Sequence, residues 1–263
     1  MRVLPSTIVL VVVTDGWQRL VVPGQERLMR VLPLQMQVTL FTRDVFREWA
    51  QLMAHLVGIK DLGTLSDPTL MPLVDAPPEF PRMICNFKEK GLVFEGTGKA
   101  LTFKWVGLPS GGYAEDHAKT CREVSHKCLL DCMEKLKVVV TRTASVATWV
   151  MADLDCGPGE WVARRFFREE LRKAPFNRPQ QTEVHSHKVY TFGAFTVNSW
   201  GRVRTEKLAN PDREKLTDMA VTFMSDINTL AENAAPIQAE TATAFFEQVW
   251  AEHVHVRSLY IGA

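Results

Sequence analysis

The chain has 263 residues, an apolar share of 46%, a charged share of 23% and 31 basic against 30 acidic residues. That composition suits one sizeable globular core and excludes a disordered chain, a collagen-like fibre and a disulfide scaffold. A net charge of +1 also excludes the uniform positive field of a non-specific DNA coat.

The N-terminal stretch MRVLPSTIVLVVVTDG has one Arg before an apolar run, but Pro5 interrupts it and no small-x-small cleavage site follows. It reads as a buried first strand, Thr7 to Val13, rather than a signal peptide. Its uninterrupted apolar part, Ile8 to Val13, falls far short of the roughly twenty residues that span a bilayer. Gln35 to Phe41 is a second strand. Asp44 is placed to cap a helix that reaches Val57, with Val45, Trp49, Leu52 and Leu56 on one face and Gly58 as its stop. Lys60 to Pro81 holds five of the fourteen prolines and reads as an internal linker.

Arg82 to Phe87, Gly91 to Glu95 and Ala100 to Val106 form a meander of strands, with Gly96 and Gly98 at a turn. GTGK lacks the GxxxxGK[ST] pattern of a phosphate loop. A helix from Tyr113 to Leu136 is followed by a strand from Lys137 to Ala152. A second helix, Pro158 to Lys173, is opened by its proline. Strands at Glu183 to Val197, Arg202 to Lys207 and Met219 to Ile227 precede a last helix starting near Ile237. Because strands mostly neighbour strands, the fold class is α+β with a mostly antiparallel sheet. Residues 1–263 read as one domain, with two sub-lobes, 1–155 and 156–263, and a Pro-rich loop at 60–81.

Five cysteines without a CxxC spacing suggest reduced thiols and a cytoplasmic setting. His117, Cys121, Cys128 and Cys132 share one helix face, but about 22 Å separates the outer members. They read as a core face. His185 and His187 lie on one side of a strand with Glu183, an arrangement open to a metal or to solvent. His253 and His255 lie in a helix, where positions i and i+2 diverge by about 200°. Asp153, Asp155, Asp226 and Asn228 close two apolar strands. They read as turn residues or, alternatively, as a two-metal phosphoryl-transfer site. No cofactor motif is present: GxGxxG, HExxH and GxSxG are all missing.

The most one-sided surface is WVARRFFREELRK. On an uninterrupted helix Trp161, Arg164, Arg165, Arg168 and Arg172 share an arc of about 100°, five basic residues facing three acidic ones between Glu160 and Lys173. Arginine beside an aromatic suits a protein interface or a nucleic-acid contact. Arg202 and Arg204 on a nearby strand extend the set. The surface predicts that Arg165→Glu with Arg168→Glu weakens association and leaves the melting temperature unchanged.

Three stretches, ALTFKWVGLPSGGYAEDHAKTCREV, LKVVVTRTASVATWV and MSDINTLAENAAPIQAETATAFFEQVWAEHVHVRSLYIGA, resemble a sporadically distributed bacterial family of about this length whose function is unknown. In that comparison His253 matches the family histidine and Tyr260 a late aromatic. Asn228 stands where the family more often has Asp. The resemblance implies an α+β fold with a terminal helix and carries over no catalytic residue. The function expected is a non-enzymatic cytoplasmic binding or assembly protein of a bacterial multi-protein system, with a protein partner or a second copy of the chain. The alternatives are a nucleic-acid-binding subunit and a metal-dependent phosphoryl-transfer enzyme.

Overall fold

The computed structural model describes residues 13–14, 17–18, 29–71, 77–107, 115–152, 154–173, 182–207, 219–230 and 235–262. Residues 7–12 of the first expected strand lie outside this set; β1 (Val13–Thr14) pairs with β2 (Trp17–Gln18). The main body is one nine-stranded sheet with antiparallel pairing throughout. In spatial order it holds β4 (Ser66–Leu70), β5 (Pro81–Phe87), β6 (Leu92–Thr97), β7 (Ala100–Val106), β3 (Arg30–Thr42), β8 (Val140–Ala152), β11 (Met219–Thr229), β10 (Phe195–Lys207) and β9 (Glu183–Phe192). Helices α1 (Trp49–Gly58), α2 (Glu115–Lys135), α3 (Pro158–Phe166) and α4 (Ala239–Ile261) complete the α+β fold.

The two expected sub-lobes are two ends of this one sheet. β8 and β11 pair over Ala144–Met151 and Val221–Asn228, so the hydrogen-bonded ladder runs unbroken across the boundary near Asp155.

Period-two alternation decides which side chains meet the helices. From β8, Ala147, Trp149 and Met151 are buried beside Val221, Phe223 and Ile227 of β11. α2 turns Cys121, Cys128, Leu129 and Cys132 inward. It has no Gly or Pro, Glu115 and Asp116 in its first turn and Lys135 in its last, which suits the helix dipole. α4 ends at Gly262, whose φ of +70° forms a left-handed cap.

Four elements differ from the sequence reading. Helix α1 starts at Trp49 after Glu48 rather than at Asp44, whose carboxylate pairs with Arg43. The Pro-rich stretch contains β4, an edge strand with a register shift between Ser66 and Thr69. Proline is tolerated there because an edge strand leaves N–H groups unpaired. The segment Glu183 to Val197 is a hairpin turning at Gly193, φ +56°. Finally, α3 stops at Phe166, and Phe167 is extended at φ −102°, ψ 144°. Adjacent side chains on a helix diverge by about 100°, so continuing it would send one of Phe166 and Phe167 towards water. Leaving the helix half-buries both rings.

Candidate binding face at the sheet end

The hairpin of β9 and β10 closes on Phe192 and Phe195. Its register sets Trp200 opposite His187, Arg202 opposite His185 and Arg204 opposite Glu183. Gly201 faces Tyr260 of α4, so the residues on either side of it point to the sheet's other face. That face gathers His185, His187, Trp200, Arg202 and Arg204.

The His187 ring lies 4.3 Å from the Trp200 ring and 15° from parallel. Its Nε2–H donates to Asn198 Oδ1 at 3.0 Å. His185 is 6.2 Å from the same indole, and the Arg202 guanidinium carbon sits 5.4 Å from its centroid. Arg204 is held by Glu206 at 2.8 Å, and Glu206 also accepts from Thr222 Oγ1. Arg202 has no ion pair among the described residues. Arg202 and His185 are therefore cation-capable groups of this face without a described ion pair.

Across β11, Asp226 stands opposite Trp200. It accepts from Asn228 Nδ2 at 3.0 Å, while Arg142 Nη2 donates to Asn228 Oδ1 at 2.7 Å. Arg142 also lies over the Phe41 ring at 4.6 Å.

The α3 residues sit on the helix side of the sheet, away from Arg202 and Arg204, and they are not one surface. Arg164 pairs with Glu160 and reaches Asp155 at 3.8 Å. Arg165 Nε donates to the Tyr260 carbonyl at 2.6 Å and lies 5.7 Å from the Trp161 ring; its burial lowers its pKa. Arg168 and Arg172 follow the break, exposed in or beside a short turn, Glu169–Arg172. The expected arc of five is thus divided by the early end of α3, and Arg165 holds the C-terminal segment.

The aspartates are separated as well. Asp153 lies outside the described residues. Asp155 follows the end of β8 and belongs to Arg164. Asp226 is level with Val146, six residues before the end of that strand, or about 20 Å at roughly 3.3 Å per residue. Among the described residues no group of three or more His, Cys, Asp or Glu is placed to hold a metal ion.

His253 and the α2 cysteines are committed to packing. His253 is fully buried, with Nδ1 2.8 Å from Ser225 Oγ and Nε2 2.9 Å from Ser145 Oγ. A neutral imidazole has one donor and one acceptor, and two hydroxyls satisfy both. Burial, reinforced by Arg122 and His126, pushes its pKa down to about 3. Cys128 and Cys132 are raised to about 12, chiefly by burial. The cysteine stripe is a core face, as its spacing indicated.

Sequence reading did not single out Trp200 or Asn198. The available signal was the Phe-Gly-Ala-Phe turn: pairing Phe192 with Phe195 brings His187 to Trp200 by counting alone. No protein-family model matches the chain, and no curated protein matches it.

Proposed function

We propose that the protein is a non-enzymatic binding component of a larger assembly, and that it engages a negatively charged partner through the open face of β9 and β10. The observation that carries this reading is the Trp200 indole with His187 stacked on it and the Arg202 guanidinium 5.4 Å from its centroid, Arg202 being uncommitted to any described carboxylate. Desolvated Trp and Arg are frequent anchors of protein interfaces. An acidic protein segment is favoured because the His187 ring already covers one side of the indole. Five free cysteines suit a reducing, cytoplasmic setting, and the bacterial setting rests on the family resemblance.

The reading is tested by co-purification with wild-type protein and with Arg202→Glu combined with His185→Ala. The expected result is loss of the associated component with the melting temperature kept. Unchanged association overturns it. Nucleic acid is the second reading, favoured by the guanidinium beside the indole. Its signature is a gel shift that fades steeply between low and physiological salt.

A further inference from the structure

On the opposite side of the same hairpin, the inner face of β9 and β10 and the C-terminal half of α4 enclose a cleft of about 490 Å³. Ser186, Ser199 and Gly201 line its sheet side. Gly201 and Ser186 admit the Tyr260 ring and its hydroxyl, and the cleft opens beside that ring. Two tyrosines stand across it and are tied in place. The Tyr190 hydroxyl donates to Glu252 Oε1 at 2.6 Å, and the Tyr260 hydroxyl bonds to Ser186 Oγ.

The cleft has a polar floor, an apolar lip and a cationic side. Leu259 lines it while 58% exposed. Lys188 and His255 also line it, and neither forms an ion pair with a described residue. Glu252 is the cleft's carboxylate, and one of its oxygens already accepts from Tyr190. Volumes from about 300 Å³ upward hold small organic ligands, with a few placed polar groups setting orientation. An unpaired ammonium selects an anionic group, and the tyrosine rings with the apolar lip suit a compact hydrocarbon or aromatic body.

We propose that this cleft binds a small organic anion, its acidic group held by Lys188 and His255 and its apolar body against Leu259 and the tyrosines. The site is independent of the open-face reading, because the sheet lies between them.

Benzoate and phenyl phosphate serve as probes, with inorganic phosphate and benzylamine as controls, titrated into the full chain by calorimetry or ligand-detected NMR. One or both aromatic anions are expected to bind, and which is tighter separates a carboxylate from a phosphate headgroup. Benzylamine is expected not to bind, and inorganic phosphate to bind more weakly. Lys188→Gln should weaken the anions at least about tenfold, the order lost with one charge-assisted contact. Leu259→Glu, which puts a carboxylate on an already exposed lip, should weaken them further. Arg202→Glu should leave them unchanged, so failure of the open-face reading does not affect this result. Absence of binding tighter than about 10 mM, equal binding of benzylamine, or undiminished binding by Lys188→Gln overturns the proposal.

Discussion

The ring of Tyr260 rests on Gly201. A methyl group built on that glycine would lie 2.6 Å from two ring carbons and 2.8 Å from the hydroxyl oxygen. The contact brings the end of α4 onto β10 and fixes one wall of the cleft. Gly201→Ala is expected to cost about 1–3 kcal/mol, the usual range for overpacking a filled site. Tyr260→Leu in the same chain should recover part of that loss. Urea unfolding of both single variants and the double variant measures it, and additive losses would mean that the two residues are not coupled.

Arg165 and Arg168 are three residues apart and do different things. Arg165 donates to the Tyr260 carbonyl and approaches Gly262. Arg168 lies beyond the end of α3, exposed. Arg165→Glu is therefore expected to lower stability by about 1 kcal/mol, a value kept small because the side chain is partly solvated. Arg168→Glu should stay within about 0.5 kcal/mol of wild type, as surface changes usually do. Melting curves of the two single variants separate them. The sequence expectation is that both arginines can be reversed without thermal cost; the Arg165–Tyr260 contact predicts a cost at Arg165.

Thiol chemistry gives a third check. Cys85, Cys121, Cys128 and Cys132 are buried and Cys156 is half-buried. Burial is the first cause of every upward thiol shift, to about 11 for Cys85, Cys121 and Cys156 and about 12 for the other two. The thiolate is the reactive form, so at pH 8 the native chain should react slowly with a disulfide reagent, Cys156 first. In denaturant all five should react at ordinary thiol rates. Fast labelling of any cysteine in the α2 stripe would show that α2 does not stay on the sheet.

Much of this architecture was legible because it depends on local pattern. The meander of β5, β6 and β7 and the span of α2 follow from alternation and helical periodicity, and the cysteine stripe was placed in the core by its axial spread. The misreadings share another cause. The helix stops at Phe166 with Phe167 extended, and nothing between Glu160 and Lys173 marks that break. β4 was hidden because Pro68 is acceptable only on an edge, and edges are properties of the whole sheet. The candidate face was half legible: the His185/His187 pair was noticed, yet Trp200 joins it only once the turn at Gly193 folds the strand back.

His253 supports a pH prediction whose direction follows from its two states. In the folded chain burial holds its pKa at about 3, and the half-buried His126, stacked on Phe246, is lowered to about 3 for the same first reason. The ordinary value is 6.5. Between those limits the unfolded chain binds protons that the folded chain refuses, so stability falls as pH drops below about 6.5 and levels off near 3. Each group contributes a slope of up to about 1.4 kcal/mol per pH unit. Glu115 works in the opposite sense, because desolvation raises its carboxyl above 4.5; the histidine slope is therefore read between pH 6.5 and 5. His253→Gln should remove its share of the slope. The same change should cost about 2–4 kcal/mol at pH 7, because Ser145 and Ser225 then face a shorter-reaching, differently shaped partner in a site without solvent. Unfolding free energies of wild type and His253→Gln at pH 5, 6 and 7 provide the comparison. A wild-type curve flat across that window would place His253 in contact with water rather than between the two serines.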